Sequence, residues 1–255
     1  MRKVSIVAPL GTSPPVITEF LQYVEEVLHE RVTDITIIST KEPLVQEGLE
    51  LVKAAIADRY PNVHVHVVEL PYVDVDTEER TADFLKTAAR ILRDQKEKYR
   101  ADAVHLCVAG GRKQVCIILS LLAQFYNVNG VYHIVMPDVT AYNEALEQIR
   151  YEMRELSQSP DKLAYYREKK EKLEPVLYPE PSSYHVIKIP VIPYPIQILI
   201  RIKEVLERRK FPLESIDMNI ATHLRDLGYI RFSRSYGYLM GDGEDLLRML
   251  RSVIG

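Results

Sequence analysis

The chain lacks most of the features that would place it outside the cytoplasm. Its 255 residues include no tryptophan and only two cysteines, and no run of about 18 apolar residues could span a membrane. The first ten residues, MRKVSIVAPL, enter a strand pattern and do not resemble a cleaved signal peptide. Two cysteines fit a reducing compartment better than a disulfide framework. We therefore expect a soluble cytoplasmic protein, with Cys107 and Cys116 as core residues of a strand and the next helix.

Standard nucleotide, metal and hydrolase motifs are also absent. The sequence contains neither G-x-x-x-x-G-K-[ST] nor G-x-G-x-x-G, which argues against a P-loop enzyme and an ordinary dinucleotide-dependent dehydrogenase. The seven histidines are scattered without metal-ligand spacing, and no G-x-S-x-G nucleophile elbow occurs. We accordingly predict no metal site and no cofactor.

The first 136 residues alternate short β-branched runs with amphipathic helices. Five strands are predicted, the first at KVSIVAPL and the fourth at AVHLCVAGG, and helical segments separate them. Strands joined through helices imply right-handed crossovers and a mainly parallel, doubly wound sheet. The predicted fold class is therefore α/β and Rossmann-like, with the strand order 3-2-1-4-5.

The sequence pattern changes after residue 140. Residues 141–195 are predicted to form a charged helical connector or insertion with a solvated face, followed by a proline-rich edge strand. Residues 196–255 fit a winged helix, with a recognition helix near 218–227 and a two-strand wing. We therefore expect three parts: a ligand-binding domain at 1–140, the connector at 141–195 and a winged-helix-like domain at 196–255.

Charge decides how the predicted winged helix is interpreted. The whole chain has a net charge of −3, and residues 196–255 carry 10 basic and 8 acidic residues. The predicted recognition helix has Arg225 beside Asp226 and little else that is basic. Because a duplex reader needs several phosphate contacts from lysine and arginine, we favour a dimer contact or a cover over DNA binding.

Two loops are expected to meet at the carboxyl edge of the sheet. They are PLGTSPPV after the first strand and VAGGRKQV after the fourth. In the predicted order these strands are neighbours whose helices leave on opposite faces, and ligands bind in such a crevice. Ser13 is predicted to cap the first helix, with Pro14 at its first position.

Positive charge follows the second of these loops. Gly110 and Gly111 permit close backbone approach, and Arg112 and Lys113 stand at a helix start, where the macrodipole disfavours a cation. A purely structural role does not readily explain two cations at the start of a helix. Two helix N-termini and two cations therefore predict an anion site, and phosphate is the obvious anion.

The stretches LGTSPPVITEF and AGGRK resemble loops of the CARF domains of CRISPR-associated proteins, which bind cyclic oligoadenylates. With a winged-helix C-terminus and no evident effector nuclease domain, the chain is most similar to CRISPR ring nucleases. These degrade cyclic tetra-adenylate, the second messenger of type III systems, and so switch off the antiviral signal. The resemblance implies a homodimer in which two CARF domains share one ring across a two-fold axis.

This resemblance also directs attention to particular residues. Lys113 and Ser13 are the catalytic candidates in a metal-free attack of the ring's own 2′-hydroxyl on the adjoining phosphate. Lys113 would stabilise the developing charge and Ser13 would orient phosphate or ribose, giving linear di-adenylate with 2′,3′-cyclic phosphate ends. No histidine lies beside either motif, so we expect slow turnover. The ligand-binding candidates are Leu10, Gly11, Thr12, Gly110, Gly111, Arg112, Gln114 and Tyr142.

Two of these assignments have alternatives. Arg112 either holds a neighbouring phosphate or turns away into a structural ion pair. Tyr142 either acts as a lid or base-stacking residue or packs on the connector as an aromatic residue at a helix start.

Three other functions stay open. A ligand-responsive transcription regulator would sense through the CARF domain and bind DNA through the winged helix. A CARF-gated HEPN ribonuclease would need Arg-x4–6-His on a helix, but in the match from Arg59 to His64, Pro61 interrupts the helix before a predicted core strand. A third candidate is a binding module that sequesters the messenger without cutting it.

Overall fold

The computed structural model describes residues 2–126, 128–192 and 194–254. Its main feature is a six-stranded sheet with the order β3-β2-β1-β4-β5-β6. The strands are β1 (Val4–Pro9), β2 (Val32–Ser39), β3 (His64–Glu69), β4 (Ala103–Cys107), β5 (Gly130–Val135) and β6 (His185–Ile189). β1 to β5 pair in parallel, and β6 lies antiparallel to β5 at the edge. The α/β fold class, the order of the first five strands and the edge strand are confirmed.

Helices cover both faces of this sheet. They are α1 (Pro15–Gln22), α2 (Pro43–Arg59), α3 (Glu78–Glu97) and α4 (Lys113–Ala123). α1 and α2 pack on the face that carries Ile6, whereas α3 and α4 pack on the face that carries Val7. Because successive strand residues point to opposite faces, β1 and β4 are buried along their whole length. The helices that follow these two strands therefore leave on opposite faces, as predicted.

The edge strand β3 differs from the expectation. Its residues are exposed or half-buried, because no strand among the described residues pairs with its outer side. The expectation of a core strand after RYPNVH is therefore wrong. α2 ends at Arg59 and His64 begins β3, so the Arg–His pair does not lie on one helix.

The charged segment after β5 forms a packed helical layer. It consists of α5 (Val139–Gln158), α6 (Lys162–Glu168) and α7 (Lys170–Leu177). Its inner face buries Ile149, Met153 and Tyr166 against Leu51 of α2. The charged side chains form the outer face, as expected. The segment also carries an apolar stripe at helical spacing, which was not predicted because charged residues outnumber it, and this stripe forms a core of its own.

The last sixty residues form a separate small core beside α3. Their elements are α8 (Ile196–Leu206), β7 (Lys210–Pro212), α9 (Met218–Asp226), β8 (Ile230–Ser233), β9 (Tyr236–Leu239) and α10 (Gly241–Ile254). The strands form an antiparallel sheet in the order β7-β9-β8. The Tyr126 hydroxyl donates to the Val253 carbonyl at 2.7 Å and joins α10 to the larger sheet. Among the described residues, no helix has both the length and the apolar character needed to cross a membrane.

Candidate ligand-binding site

The loops that follow β1 and β4 touch backbone to backbone at the carboxyl edge of the sheet. A Cβ atom on Gly11 would lie 2.8 Å from the backbone nitrogen of Gly111, and one on Gly110 would lie 2.3 Å from the Pro9 carbonyl oxygen. Gly111 also has a φ of +77°, in the left-handed region that favours glycine. The contact therefore requires residues without side chains, and it brings the stretches 10–13 and 110–113 together.

A cavity of about 280 Å³ opens beside this contact, toward β2. Five of the predicted ligand-binding residues line it, namely Leu10, Gly11, Thr12, Gly111 and Arg112. The other lining residues include the apolar Ile38, Val45 and Leu70, together with Glu42. The surface of this cavity is about equally polar and apolar. A concave site that combines apolar walls with a few placed polar groups can hold a small molecule.

The start of α1 differs from the prediction. Pro14 occupies the cap position, α1 begins at Pro15, and no side chain caps the helix. A cap at Ser13 needs a backbone N–H two or three residues on, but Pro15 has none and the Val16 N–H reaches the Ser13 carbonyl at 3.4 Å. The predicted Ser13 cap is therefore wrong, and the Ser13 hydroxyl is left available for another role.

The two helix starts are also unequal as anion sites. Pro14 and Pro15 remove two N–H groups from the start of α1. α4 has no proline in its first turn, and its first backbone bond runs from Cys116 N–H to the Arg112 carbonyl, so the preceding N–H groups are unpaired within the helix. The anion-binding capacity predicted from two helix N-termini therefore lies mainly at α4.

Both cations at this helix start are exposed, but they differ in their partners. Arg112 is 61% exposed and pairs with Asp74 at 2.9 Å, which is the structural alternative raised from the sequence. Lys113 is the first residue of α4 and makes no ion pair with any residue the structure describes. An exposed pair such as that of Arg112 contributes about 1 kcal/mol or less, so a ligand phosphate can replace Asp74 at little cost.

The other side of the first loop faces α5. The Arg150 guanidinium donates to the Thr12 carbonyl at 3.2 Å. Tyr142, in the first turn of α5, is half-buried, and its enclosed hydroxyl lacks a hydrogen-bond partner. Burial raises the pKa of the Tyr142 phenol, and the charge of Glu19 adds to this effect. The Tyr142 hydroxyl is therefore enclosed rather than exposed, and the choice between a lid or stacking residue and an aromatic packed on the connector stays a prediction.

Glu19 is the most unusual residue near this loop. It lies in the middle of α1, its side chain is 0% exposed, and neither carboxyl oxygen has a hydrogen-bond partner. Burial raises the pKa of this carboxyl from 4.5 to about 8. Glu19 is therefore uncharged at neutral pH.

The two thiols near the site are poor nucleophiles. Cys107 is fully buried at the end of β4, and burial raises the pKa of its thiol to about 12. Cys116 is half-buried, donates to the Gly110 carbonyl at 3.0 Å, and has a thiol pKa raised by burial to about 11. Because the thiolate is the reactive form, neither cysteine is suited to nucleophilic attack at neutral pH. Cys107 is a core residue, as predicted, and Cys116 is only partly one.

Two further predictions concern residues away from the crevice. Gln114 lines a different groove, of about 490 Å³, between α3, α4 and α10. The structure therefore does not bring it together with the other candidates. In residues 2–126, 128–192 and 194–254 no cluster of three or more His, Cys, Asp and Glu side chains has the arrangement of a metal site.

Three residues at the site had escaped the sequence analysis. Asp74 stands in a loop, and Arg150 stands in a segment that was interpreted as a solvated connector. Glu19 carried a usable signal, since it is the one charged residue of the helix Pro15–Gln22, all of whose residues are buried. A buried acid of that kind is seldom retained without a partner or a role.

Residues 13–218 match the family described as CRISPR-associated protein NE0113 (Cas_NE0113). The chain belongs to this family. The matched region begins at Ser13, after β1, covers the strands β2 to β6 and the helical layer, and ends at the start of α9. The expectation of a CRISPR-associated protein is thus confirmed, whereas no curated protein matches the chain.

Two solved structures were found to be similar to this member of the Cas_NE0113 family. Enterococcus italicus Csm6, bound to cyclic hexa-2′-fluoro-hexa-dAMP, is similar over 100% of this chain with a TM-score of 0.50 and 15% identity. The match spans 55% of the Csm6 chain. Protein VC1899 from Vibrio cholerae is similar over 98% of this chain and 66% of its own, with 9% identity. Its TM-score of 0.36 is too low to indicate a shared fold.

Proposed function

We propose that this Cas_NE0113 protein binds cyclic tetra-adenylate between residues 10–13 and 110–113 and cleaves it to linear di-adenylate. The observation that carries this proposal is the backbone contact of the two glycine loops beneath the start of α4, with Arg112 and Lys113 exposed above it. Membership in a CRISPR-associated family and the cyclic oligoadenylate analogue named for Csm6 support this choice of ligand.

The cavity beside the contact suits an adenine base. Its wall includes Ile38, Val45 and Leu70, against which a base can pack, and the Glu42 carboxylate can accept a hydrogen bond from an exocyclic amino group. Thr12 lies on the other side, where it can reach ribose or phosphate. A base in this cavity would leave its phosphate at the N–H groups of α4.

The reaction uses a nucleophile that the ligand already carries. The 2′-hydroxyl of one nucleotide attacks the adjoining phosphorus and gives its proton to water, while the bond to the 5′-oxygen breaks and that oxygen takes up a proton from water. Each cleavage leaves one 2′,3′-cyclic phosphate end and one 5′-hydroxyl end, and two cleavages convert one ring into two di-adenylates. Lys113 stabilises the negative charge on the phosphorane oxygens, and Ser13 holds the phosphate or ribose in line. No side chain with a pKa near neutrality faces the substrate in this scheme, and this agrees with the slow turnover expected from the sequence.

A second copy of the chain completes the site in this proposal. Ile117 and Leu121 are 58% and 53% exposed, and they follow Lys113 at intervals of four residues along one face of α4. Tyr194 is exposed at the far end of this stripe, its N–H bonded to the Gln124 carbonyl at 3.0 Å. An exposed apolar stripe of this kind marks an interface. A two-fold axis here would bring two Lys113 side chains toward one ring.

The C-terminal unit is proposed to be a winged helix that serves as a contact or cover. The element order from α8 to β9, with a helical turn at Leu213–Ser215 before α9, supports this assignment. Arg225 on α9 bonds Asp226 at 2.7 Å and lies over the Phe232 ring at 5.0 Å, so it is already engaged within the unit. DNA binding is therefore not favoured. The three-part division at 1–140, 141–195 and 196–255 belongs to the same proposal.

The test is a cleavage assay in EDTA. The purified protein is incubated with cyclic tetra-adenylate, and the products are separated by chromatography, beside Lys113→Ala, Ser13→Ala and the control Lys86→Ala, which changes an exposed lysine on α3. Conversion to linear di-adenylate that is lost only in the first two variants supports the proposal. Binding without product would contradict cleavage and favour a sensor or regulator. Absence of binding would contradict the ligand assignment.

A further inference from the structure

The small antiparallel sheet of the C-terminal unit has one packed face and one exposed face. Phe211 on β7 is fully buried, and a Cβ atom on Gly237 of β9 would lie 2.5 Å from its ring, so these two residues turn inward. Because successive strand residues point to opposite faces, their neighbours along the strands turn outward. The outer face of the small sheet therefore carries the exposed Lys210, Arg231 and Tyr236 and the half-buried Tyr238.

The strand register brings these four side chains into one cluster. Lys210 and Arg231 are both paired with Tyr238, from the strands on either side of it. The Lys210 ammonium lies 4.7 Å from the ring centroid of Tyr236 and 5.5 Å from that of Tyr238. The Arg231 guanidinium lies 4.9 Å from the Tyr238 ring. Cation–π contacts are weak at exposed sites, so they orient the two cations and still let a ligand displace them.

Positive charge surrounds the outer face without acidic neighbours in sequence. Residues 208–212 and 230–240 include five basic residues and no acidic residue. Arg209 pairs with Glu244, whereas within the described ranges no ion pair is made by Arg208, Lys210, Arg231 or Arg234. Arg234 stands in the turn between β8 and β9 with a φ of +53°, where glycine or asparagine is the usual residue. Local backbone geometry therefore does not explain an arginine at this turn.

We propose that the outer face of the small sheet binds single-stranded nucleic acid. One unstacked base stacks on Tyr236, whose side chain is 41% exposed. The phosphates on either side of this base lie at Lys210, Arg231 and Arg234. Aromatic side chains among lysines and arginines are the combination by which proteins hold a single strand without reading its sequence.

The size of the outer face favours a single strand over a duplex. Its strands have three or four residues. Three such strands make a face about 10 Å wide and about 13 Å long, which has room for about two or three nucleotides. The bases of a duplex stack on one another and cannot stack on Tyr236. The helix α9, which would enter a duplex groove, has its Arg225 bonded to Asp226 at 2.7 Å.

The first test measures binding by fluorescence anisotropy. The probes are a labelled RNA of about 12 nucleotides, DNA of the same sequence, and the DNA duplex. We expect at least one single strand to bind more tightly than the duplex, and the comparison of the two strands identifies the preferred sugar. Tyr236→Ala should weaken this binding about tenfold, whereas Tyr236→Phe, which keeps the ring, should stay within about twofold of the wild type.

The matched control for this assay is Arg248→Ala. Arg248 is an exposed arginine of the same unit that lines the groove between α3 and α10, and its replacement should leave affinity for the single strand unchanged. Absence of binding by both single strands would overturn the proposal. Equal or tighter binding of the duplex, or wild-type affinity in Tyr236→Ala, would overturn it as well.

The second test locates the phosphates and the strand. The slope of log affinity against log salt concentration should become shallower by about 0.7 in Lys210→Ala and in Arg231→Ala, and should not change in Tyr236→Ala. Ultraviolet cross-linking followed by mass spectrometry should place the strand on residues 230–239. An unchanged slope in both charge variants, or cross-links confined to residues 10–13 and 110–113, would overturn the proposal. Neither readout depends on cleavage of cyclic tetra-adenylate.

Discussion

The two loops of the crevice differ in the contacts that hold them and in the charge that they present. The loop at 10–13 is held from α5 by the bond from the Arg150 guanidinium to the Thr12 carbonyl, and the buried Glu19 lies in the helix that follows it. The loop at 110–113 ends in exposed cations and in the unpaired N–H groups of α4. The first loop is thus held from a distant helix, whereas the second presents exposed positive charge at a helix start. In the proposed function, the first loop would position the ring and the second would stabilise the charge that develops on it.

Removing the exposed charge should have the largest effect. Lys113→Ala should slow cleavage of cyclic tetra-adenylate by about 10²–10³-fold, the range found when one group that stabilises transition-state charge is removed. Single-turnover rates with saturating protein measure this. Lys86→Ala is the matched control and should cleave at the wild-type rate. A Lys113→Ala rate within about threefold of the wild type would contradict the assignment.

Replacing the buried carboxyl of Glu19 should change the free energy of unfolding and its dependence on pH. The pKa of Glu19 is raised from 4.5 to about 8 in the folded protein, so folding takes up a proton between these values. The stabilising effect of the protonated Glu19 carboxyl is fully present below pH 4.5 and is lost as the pH rises toward 8. Glu19→Gln should therefore be more stable than the wild type at pH 8, with a difference on the order of 1.4 kcal/mol for each pH unit crossed.

Urea unfolding at pH 5.5, 7 and 8.5 checks this prediction. The advantage of Glu19→Gln over the wild type should grow as the pH rises and level off above pH 8. Glu79→Gln should show no such trend. A constant difference between wild type and Glu19→Gln at all three pH values would show that Glu19 does not titrate as inferred.

Forcing the two loops apart should have an intermediate effect. Gly110→Ala places a Cβ atom 2.3 Å from the Pro9 carbonyl oxygen, which backbone atoms cannot relieve without moving the loop. We expect a loss of about 1–3 kcal/mol in the free energy of unfolding and weaker binding of the ring. Gly241→Ala, where a Cβ meets nothing within 4 Å, is the control and should change stability by less than about 0.5 kcal/mol. Similar losses in both variants would contradict a specific role for the loop contact.

Releasing Arg112 should have the smallest effect. Asp74→Asn removes the partner of Arg112 and should lower stability by about 1 kcal/mol or less, since the pair is exposed. The freed guanidinium can turn to a ligand phosphate, so affinity for the ring should rise by about threefold or less. Asp76→Asn, which breaks the nearby pair with Arg80, serves as the control and should leave affinity unchanged. Weaker binding in Asp74→Asn would show that Asp74 itself supports the site.

The sequence was informative where the signal is local and repeated. Alternating β-branched runs and amphipathic helices predicted the parallel sheet and its order, because topology follows from the connections. Gly110 and Gly111 before Arg112 predicted the place of the crevice. The start of α1 was misjudged because the cap rule for Ser13 was applied without asking whether Pro15 has an N–H to give.

The residues that were missed depend on contacts distant in sequence. Arg150 reaches Thr12 across 138 residues, and its segment looked like a solvated connector because charged residues outnumber the apolar stripe beneath them. Glu19 is likewise buried by parts of the chain that lie far from it in sequence, and Tyr184 donates to its backbone carbonyl across 165 residues. No local pattern predicts such contacts, because they form only in the folded protein.

The most direct measurement is a calorimetric titration with cyclic tetra-adenylate in which fluorine replaces each 2′-hydroxyl. This ring keeps its phosphates and bases but lacks the nucleophile, so the proposed reaction cannot proceed. We expect one ring bound for every two chains, no product by chromatography, and binding weakened in Lys113→Ala. One ring for each chain would contradict a site shared across a two-fold axis. No binding heat at any temperature, with the natural ring also unbound, would contradict the ligand itself.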